Sequence, residues 1–250
     1  MKRLTSCCAL GAALAISTLP SAALADEAHE ILAKVDAAMT KAKDQTSTLT
    51  MVLEDAEGKT KERRISLQQK GTQLKMMKFL SPAEVKGVGF LTVSDDEMYL
   101  YMPEFDKVRR IASHLKNDTF MGTDFSYGDM GSISYAPKYS AKLIGKDAAR
   151  ATLELTPKKG QESPYGKLTM VVNLERNQPT RVEHFDKAGQ LWKVMEYDQV
   201  EKIAGRWVPR SITMRDLKKK HATRMEMADI AFDTGLKDSA FSQRMLKRAR

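Results

Sequence analysis

The segment "TLTMVLEDAEGKTKERRISLQQ" (residues 48–69) decides the fold. Leu49, Met51 and Leu53 alternate with Thr48, Thr50 and Val52, and Ile65 and Leu67 alternate with Arg64, Ser66 and Gln68. Successive strand side chains point to opposite faces, so this period of two predicts two strands, each with one buried face. Between them residues 54–60, with Gly58, read as the loop of an antiparallel hairpin.

The pattern continues through most of the chain. A turn at Gly71-Thr72 leads into "QLKMMKFL" (73–80), and "EMYLYMP" (97–103) and "KVRRI" (107–111) form a further pair around the turn at Pro103–Asp106. Seven more strands are expected over 139–145, 151–157, 167–174, 179–186, 191–200, 206–217 and 222–232. Short strands at this spacing predict a mainly β fold built on one large antiparallel sheet, curled or closed. Upstream, residues 26–43 have a helical period. Ile31, Leu32, Val35, Met39 and Ala42 share a face, Asp26, Glu27 and Glu30 lie at the start, and Lys41 and Lys43 lie at the end, as the helix dipole favours. Near the C-terminus Asp238 is placed to N-cap a short helix that pins Phe241 and Met245.

The first 25 residues have a different character. Lys2 and Arg3 precede an apolar run, Pro20 breaks it, and Ala23-Leu24-Ala25 forms a small-x-small site. This is the pattern of a secretory signal peptide cleaved after Ala25, leaving residues 26–250 as a single domain. Both cysteines, Cys7 and Cys8, belong to this leader, so the remaining chain has no thiol for disulfides, metal binding or nucleophilic attack. The net charge is +9, and removing Lys2 and Arg3 with no acid lowers it to +7. A basic exported chain suits anionic partners such as a membrane surface, and no motif for nucleic acid accompanies the charge. The chain is also rich in methionine, fifteen in all, a residue that adapts to varied apolar ligands or fills gaps in a core.

Catalytic and metal motifs are missing from the sequence. His29, His114, His184 and His221 are far apart with no metal spacing, and neither a nucleophile elbow nor a phosphate loop is present. No metal or other cofactor is expected. The irregular stretch "TFMGTDFSYGDM" (119–130) is the segment that resembles a site. Asp124 and Asp129 lie among aromatics as in a hydrolase cleft, but no partner groups can be assembled around them. The alternative reading makes Phe120, Met121, Phe125, Tyr127 and Met130 a lid over the hollow of the sheet. In it the two acids cap turns or bond to loop backbone, and Gly122 and Gly128 allow tight bends.

Three blocks carry a family likeness: "FLSPAEVKGVGFL" (79–91), "MYLYMPEFDKVRRI" (98–111) and "FMGTDFSYGDM" (120–130). In this order they resemble the LolA-like outer-membrane lipoprotein-sorting proteins, in the branch associated with RND-type or MMPL-type exporters. The likeness spans about residues 26–246. It departs at Gly128, where the more usual form has an acidic residue. The resemblance implies an unclosed antiparallel barrel of about eleven strands wrapped around lid helices. It also implies a monomeric periplasmic carrier of lipid or lipoprotein acyl chains, with an inner-membrane exporter as partner and no catalytic residues.

On that reading the inward-facing set Leu49, Met51, Leu53, Ile65, Leu67, Leu74, Met76, Met98, Leu100, Met170, Val172, Met195 and Met225 lines the cavity, or simply forms core. Lys107, Arg109 and Arg110 are candidates for contact with a headgroup or partner, with Arg109 and Arg110 on opposite faces of their strand. "DLKKKHATR" (216–224) is a basic hairpin tip. A non-carrying adaptor subunit of an exporter is the second reading, and a hydrolase of envelope polymers is the third.

Overall fold

The computed structural model describes residues 21–131 and 134–248, so the leader expected over residues 1–25 lies almost wholly outside the described residues. In chain order the elements are helix α1 (Ser21–Met39), strands β1 (Asp44–Glu54), β2 (Thr60–Lys70), β3 (Leu74–Ser81), β4 (Gly89–Ser94), β5 (Glu97–Met102) and β6 (Lys107–Arg110), and helix α2 (Tyr127–Gly131). Strands β7 (Tyr139–Lys146), β8 (Arg150–Pro157), β9 (Lys167–Asn173), β10 (Gln178–Phe185), β11 (Leu191–Ile203), β12 (Arg206–Asp216) and β13 (His221–Phe232) follow, then helix α3 (Gln243–Lys247).

All thirteen strands form one sheet in the order β6-β5-β4-β3-β2-β1-β13-β12-β11-β10-β9-β8-β7. Every neighbouring pair is antiparallel. The chain enters at the centre with β1, meanders out to the β6 edge, crosses to the β7 edge, and meanders back until β13 pairs with β1. The edges β6 and β7 do not meet, so the barrel is unclosed. Residues 111–138, which contain the aromatic stretch, must therefore pass from one edge to the other. The strand count exceeds the eleven that the resemblance implies. The strand that periodicity missed, β4, is buried on both faces over Gly89–Thr92 and so lacks alternation.

One core fills the concave side. Ala28, Ile31, Leu32 and Val35 of α1 pack with Leu49, Met51, Leu53, Ile65, Leu67, Met77, Phe79 and Phe90 from the first strands. Ala151, Leu153, Leu155, Leu168, Met170, Val172 and Val182 come from the returning half. Helix α1 ends earlier than its sequence period suggests. Lys41 and Lys43 lie beyond it, and the Lys43 N–H donates to Asp233 Oδ1 while its carbonyl accepts the Gly71 N–H. Asp36 of α1 accepts the Tyr135 and Ala136 N–H groups at 2.7–3.1 Å, docking the end of the crossing segment onto the helix.

A smaller cluster lies on the convex face, where Met76, Leu91 and Tyr101 are covered by Phe241 and Leu246, with Leu74 and Met245 packed against it. Leu74 and Met76 therefore point away from the hollow. Strand β3 is apolar on both faces, and the C-terminal helix reverses the parity its sequence suggests. Asp238 opens a 3-10 turn and pairs with Lys70 at 2.5 Å. The α3 cap is Ser242, whose hydroxyl accepts the Met245 N–H. The Cβ that Gly89 lacks would stand 2.6 Å from Leu246 Cδ1, so the glycine lets α3 lie close on the sheet.

Candidate functional site

Between the concave face, the last turn of α1 and the crossing segment lies a cavity of about 650 Å³. Its apolar wall includes Met39, Leu49, Leu67, Met77, Met98, Phe125, Met130, Leu168, Met195, Met214, Met225 and Met227. Of the residues expected to line it, Leu49, Leu67, Met98, Met195 and Met225 do so. Met51, Leu53, Ile65, Leu100, Met170 and Val172 are buried in the surrounding core without bordering the space. Leu74 and Met76 belong to the convex cluster.

The crossing segment packs over this hollow. Phe120 is fully buried, its ring 5.2 Å from Phe90, 5.4 Å from Tyr127 and 6.1 Å from Phe79. Phe125 and Met130 are buried, and Met121 and Tyr127 are partly so. A tight bend at Met121-Gly122, both at positive φ, lets Phe120 N–H reach Phe125 O at 2.8 Å. Gly128 acts differently from the bend expected of it. It sits inside α2, where a Cβ would stand 3.3 Å from Lys116 O, so the site favours a residue without one.

Both acids of the segment hold it in place. Asp129 Oδ2 accepts the Ser126 N–H at 2.8 Å while Ser126 Oγ accepts the Asp129 N–H at 3.0 Å, a reciprocal cap on α2. Asp124 Oδ2 lies 2.7 Å from both His221 Nδ1 and the Thr223 hydroxyl. Lys193 Nζ donates to Asp124 O at 2.6 Å, and Arg63 to Met121 O at 2.6 Å. Only Asp129 borders the cavity, so the two carboxylates do not face a common cleft. Among the described residues no group of three or more His, Cys, Asp or Glu could hold a metal ion.

The cavity also holds polar groups that periodicity did not single out. Tyr135, Tyr139, Tyr165, Tyr197 and His184 border it. Tyr135 and Tyr197 share a hydroxyl contact at 3.3 Å, and the His184 ring lies edge-on to Tyr165 at 4.6 Å. Burial pushes the Tyr197 phenol up to about 12 and the His184 imidazole down to about 4. Lys75 donates to Met130 O at 2.7 Å, and burial, with Lys138 nearby, lowers its ammonium to about 8. Alternation from Val182 and Met195 would have reached His184 and Tyr197. Tyr165 stands in a loop where no period applies.

Lys107 and Arg109 lie on the edge strand β6 beside Arg244 and Lys247 of α3, in a shallow groove outside the cavity. Arg110 turns the other way and donates to Asp96 O at 2.9 Å, steadying the turn whose Asp95 and Asp96 border the cavity. No helix among the described residues is long and apolar enough to cross a membrane.

An open antiparallel sheet, curved around a helix and roofed by its own edge-to-edge connection, defines a LolA-like fold. An outer membrane lipoprotein-sorting domain assigned in Vibrio parahaemolyticus is 26% identical, with a TM-score of 0.82 over 90% of this chain and 100% of its own. A DUF1329 family protein from Desulfovibrio piger is also 26% identical, with a TM-score of 0.83 over 89% of this chain and 99% of its own. A LolA superfamily protein from Nitrosomonas europaea shares the fold at 21% identity, with a TM-score of 0.74 over 87% and 98%. No curated protein matches. A family model described as "Uncharacterized protein" matches residues 71–248, and the chain belongs to that family.

Proposed function

We propose that this protein is a periplasmic carrier that holds the acyl chains of a lipid or lipoprotein in the cavity and moves them between membranes. The observation that carries this reading is the 650 Å³ methionine-rich hollow beneath the crossing segment. Each methylene transferred from water into such a wall contributes about 0.8 kcal/mol without directional demands, and methionine adapts to chains of different length. The likeness to a lipoprotein-sorting domain and to a LolA superfamily protein supports the same reading. The chain is exported, its leader is removed after Ala25, and it acts as a monomeric non-enzymatic carrier. An RND-type or MMPL-type exporter is the proposed inner-membrane partner. The crossing segment serves as the lid, and the basic edge at Lys107 and Arg109 is the proposed contact with an anionic membrane or partner.

Periplasmic expression followed by native mass spectrometry and lipid extraction tests the central claim. A co-purifying lipid at near-stoichiometric amount is expected. A protein that carries none, and takes up no acyl probe when folded, is not a carrier. That result would leave the adaptor reading.

A further inference from the structure

We propose that one end of the cavity is a subsite for an anionic headgroup, formed by Gln45, Gln69 and Lys75; this rests on the carrier reading above and names the ligand class. The strand register builds it. Gln45 pairs with Gln69 across β1 and β2, Gln69 with Lys75 across β2 and β3, and Lys75 with Thr92 across β3 and β4. Cross-strand partners share a face, with Cβ atoms about 5 Å apart. The four side chains thus form one polar row on the concave surface at this end of the strands. The next row inward is Ser47, Leu67, Met77 and Phe90, and the one beyond holds Leu49, Ile65 and Phe79.

Lys75 of this row donates to Met130 O at 2.7 Å, which fixes its ammonium beside the two glutamines. Gln45, Gln69 and Lys75 border the cavity. The Ser47 and Thr92 hydroxyls on the same face, in residues 6% and 1% exposed, have no hydrogen-bond partner among the described residues, but they lie behind the cavity wall and do not border the space. The charge at this end favours an anion. Of the bordering carboxylates, Asp95 is paired with Lys138 and Asp96 with Lys116, each at 2.7 Å, and Lys75 adds a further cation. Amide N–H groups and an ammonium suit the oxygens of a carboxylate or a phosphate. Gln45, Gln69 and Lys75 lie one residue from the ends of their strands, and Met225 pairs with Met51 further along β1, so a ligand with its head at the row runs its chain along the sheet toward Met225. A fatty-acid carboxylate and a phospholipid phosphate share this chemistry.

Displacement of 1-N-phenylnaphthylamine from the delipidated full-length mature protein tests the subsite. The competitors are a long-chain fatty acid, the alkyl phosphate of equal chain length and the matching alcohol. At least one anion is expected to compete tenfold or more better than the alcohol. Lys75→Met should erase that preference and Lys75→Arg should restore it. A stronger phosphate points to phospholipid cargo, a stronger carboxylate to free fatty acid, and both support the subsite. Equal competition by all three in the wild-type protein overturns the subsite and leaves the carrier reading intact. Binding of none overturns both. The wild-type comparison stands even if Lys75→Met fails to fold.

Discussion

The Tyr165 hydroxyl donates to Asp129 Oδ2 at 2.8 Å, the same oxygen that accepts the Ser126 N–H at 2.8 Å. One carboxylate thus caps α2 and ties the crossing segment to the loop that leads into β9. Burial raises the Tyr165 phenol well above its usual range, and the neighbouring Asp129 charge adds to this, so the hydroxyl remains a donor at any physiological pH. The returning half of the sheet thereby grips a segment that is also anchored by Thr223, His221, Lys193, Arg63 and Lys75 on β13, β11, β2 and β3.

Removing the two partners should not cost the same. Tyr165→Phe leaves Asp129 capping Ser126 and should lower stability by about 1–2 kcal/mol. Asp129→Ala leaves both the Tyr165 hydroxyl and the Ser126 N–H without an acceptor in the interior, and about 3 kcal/mol is expected. Urea midpoints measure the totals, and hydrogen exchange over 119–131 locates them. Equal losses for the two variants would show that Asp129 does not hold both donors.

His184 supplies a pH dependence of defined sign. Its residue is 3% exposed, and burial lowers the imidazole to about 4. The charges around it are Asp129, which favours the proton, and Lys193, which opposes it. Between the unfolded value near 6.5 and the folded value near 4 the unfolded chain binds a proton that the folded chain refuses. Stability should therefore fall as pH drops through this window, by about 3 kcal/mol at most. Comparing unfolding free energies at pH 7 and pH 4.5 for the wild type and His184→Phe checks the assignment. An unchanged slope in the variant would place the protons elsewhere.

How much of this was legible in sequence depended on whether each segment was one-sided. Strands β7 to β13 carry apolar residues on one face and polar residues on the other for most of their length, and periodicity located them all. "GFLTVS" (89–94) is buried on both faces and gave no alternation, so β4 went unseen. "QLKMMKFL" alternates on either parity. Only the packing of Phe241 and Leu246 on the convex side decides that Met77 and Phe79 face inward and Met76 does not. In the site, methionines at period-two positions could be found, but which of them border empty space depends on sheet curvature. The polar row of Gln45, Gln69 and Lys75 depends on strand register, and no single segment displays it.

Two methionines that pair across β1 and β13 should respond differently to enlargement. Met225 borders the cavity, whereas Met51, its register partner, is fully buried away from it. Met225→Trp can extend into the hollow, so binding of an acyl probe should drop at least tenfold with a stability change under about 1 kcal/mol. Met51→Trp has no such space and should cost about 1–3 kcal/mol or more through overpacking. Thermal unfolding and probe titration on both variants separate the cases. Matching destabilisation would mean that the cavity is not open in solution.

Asp44 closes the assembly where the two halves of the sheet meet, and acid should release it. Its Oδ1 accepts the Thr234 N–H at 2.6 Å and the Thr234 hydroxyl at 2.7 Å, and its Oδ2 accepts the Gly235 and Leu236 N–H groups at 3.0 Å each. Burial alone would raise this carboxyl, but the four bonds outweigh it and hold the group below the usual aspartate value of 3.8. A depressed folded value means that the stabilisation is complete above the unfolded value and is lost as pH falls through the folded one. Asp44→Asn places an amide N–H₂ where backbone donors converge, and about 1–3 kcal/mol should be lost at neutral pH. The variant should also lose less stability than the wild type on going from pH 5 to pH 3. Since Leu236 leads into the C-terminal segment, hydrogen exchange at 234–247 should rise in the same variant. Protection unchanged there, with stability intact, would mean that the C-terminal segment is held on the sheet by α3 packing and its lysine contacts without help from Asp44.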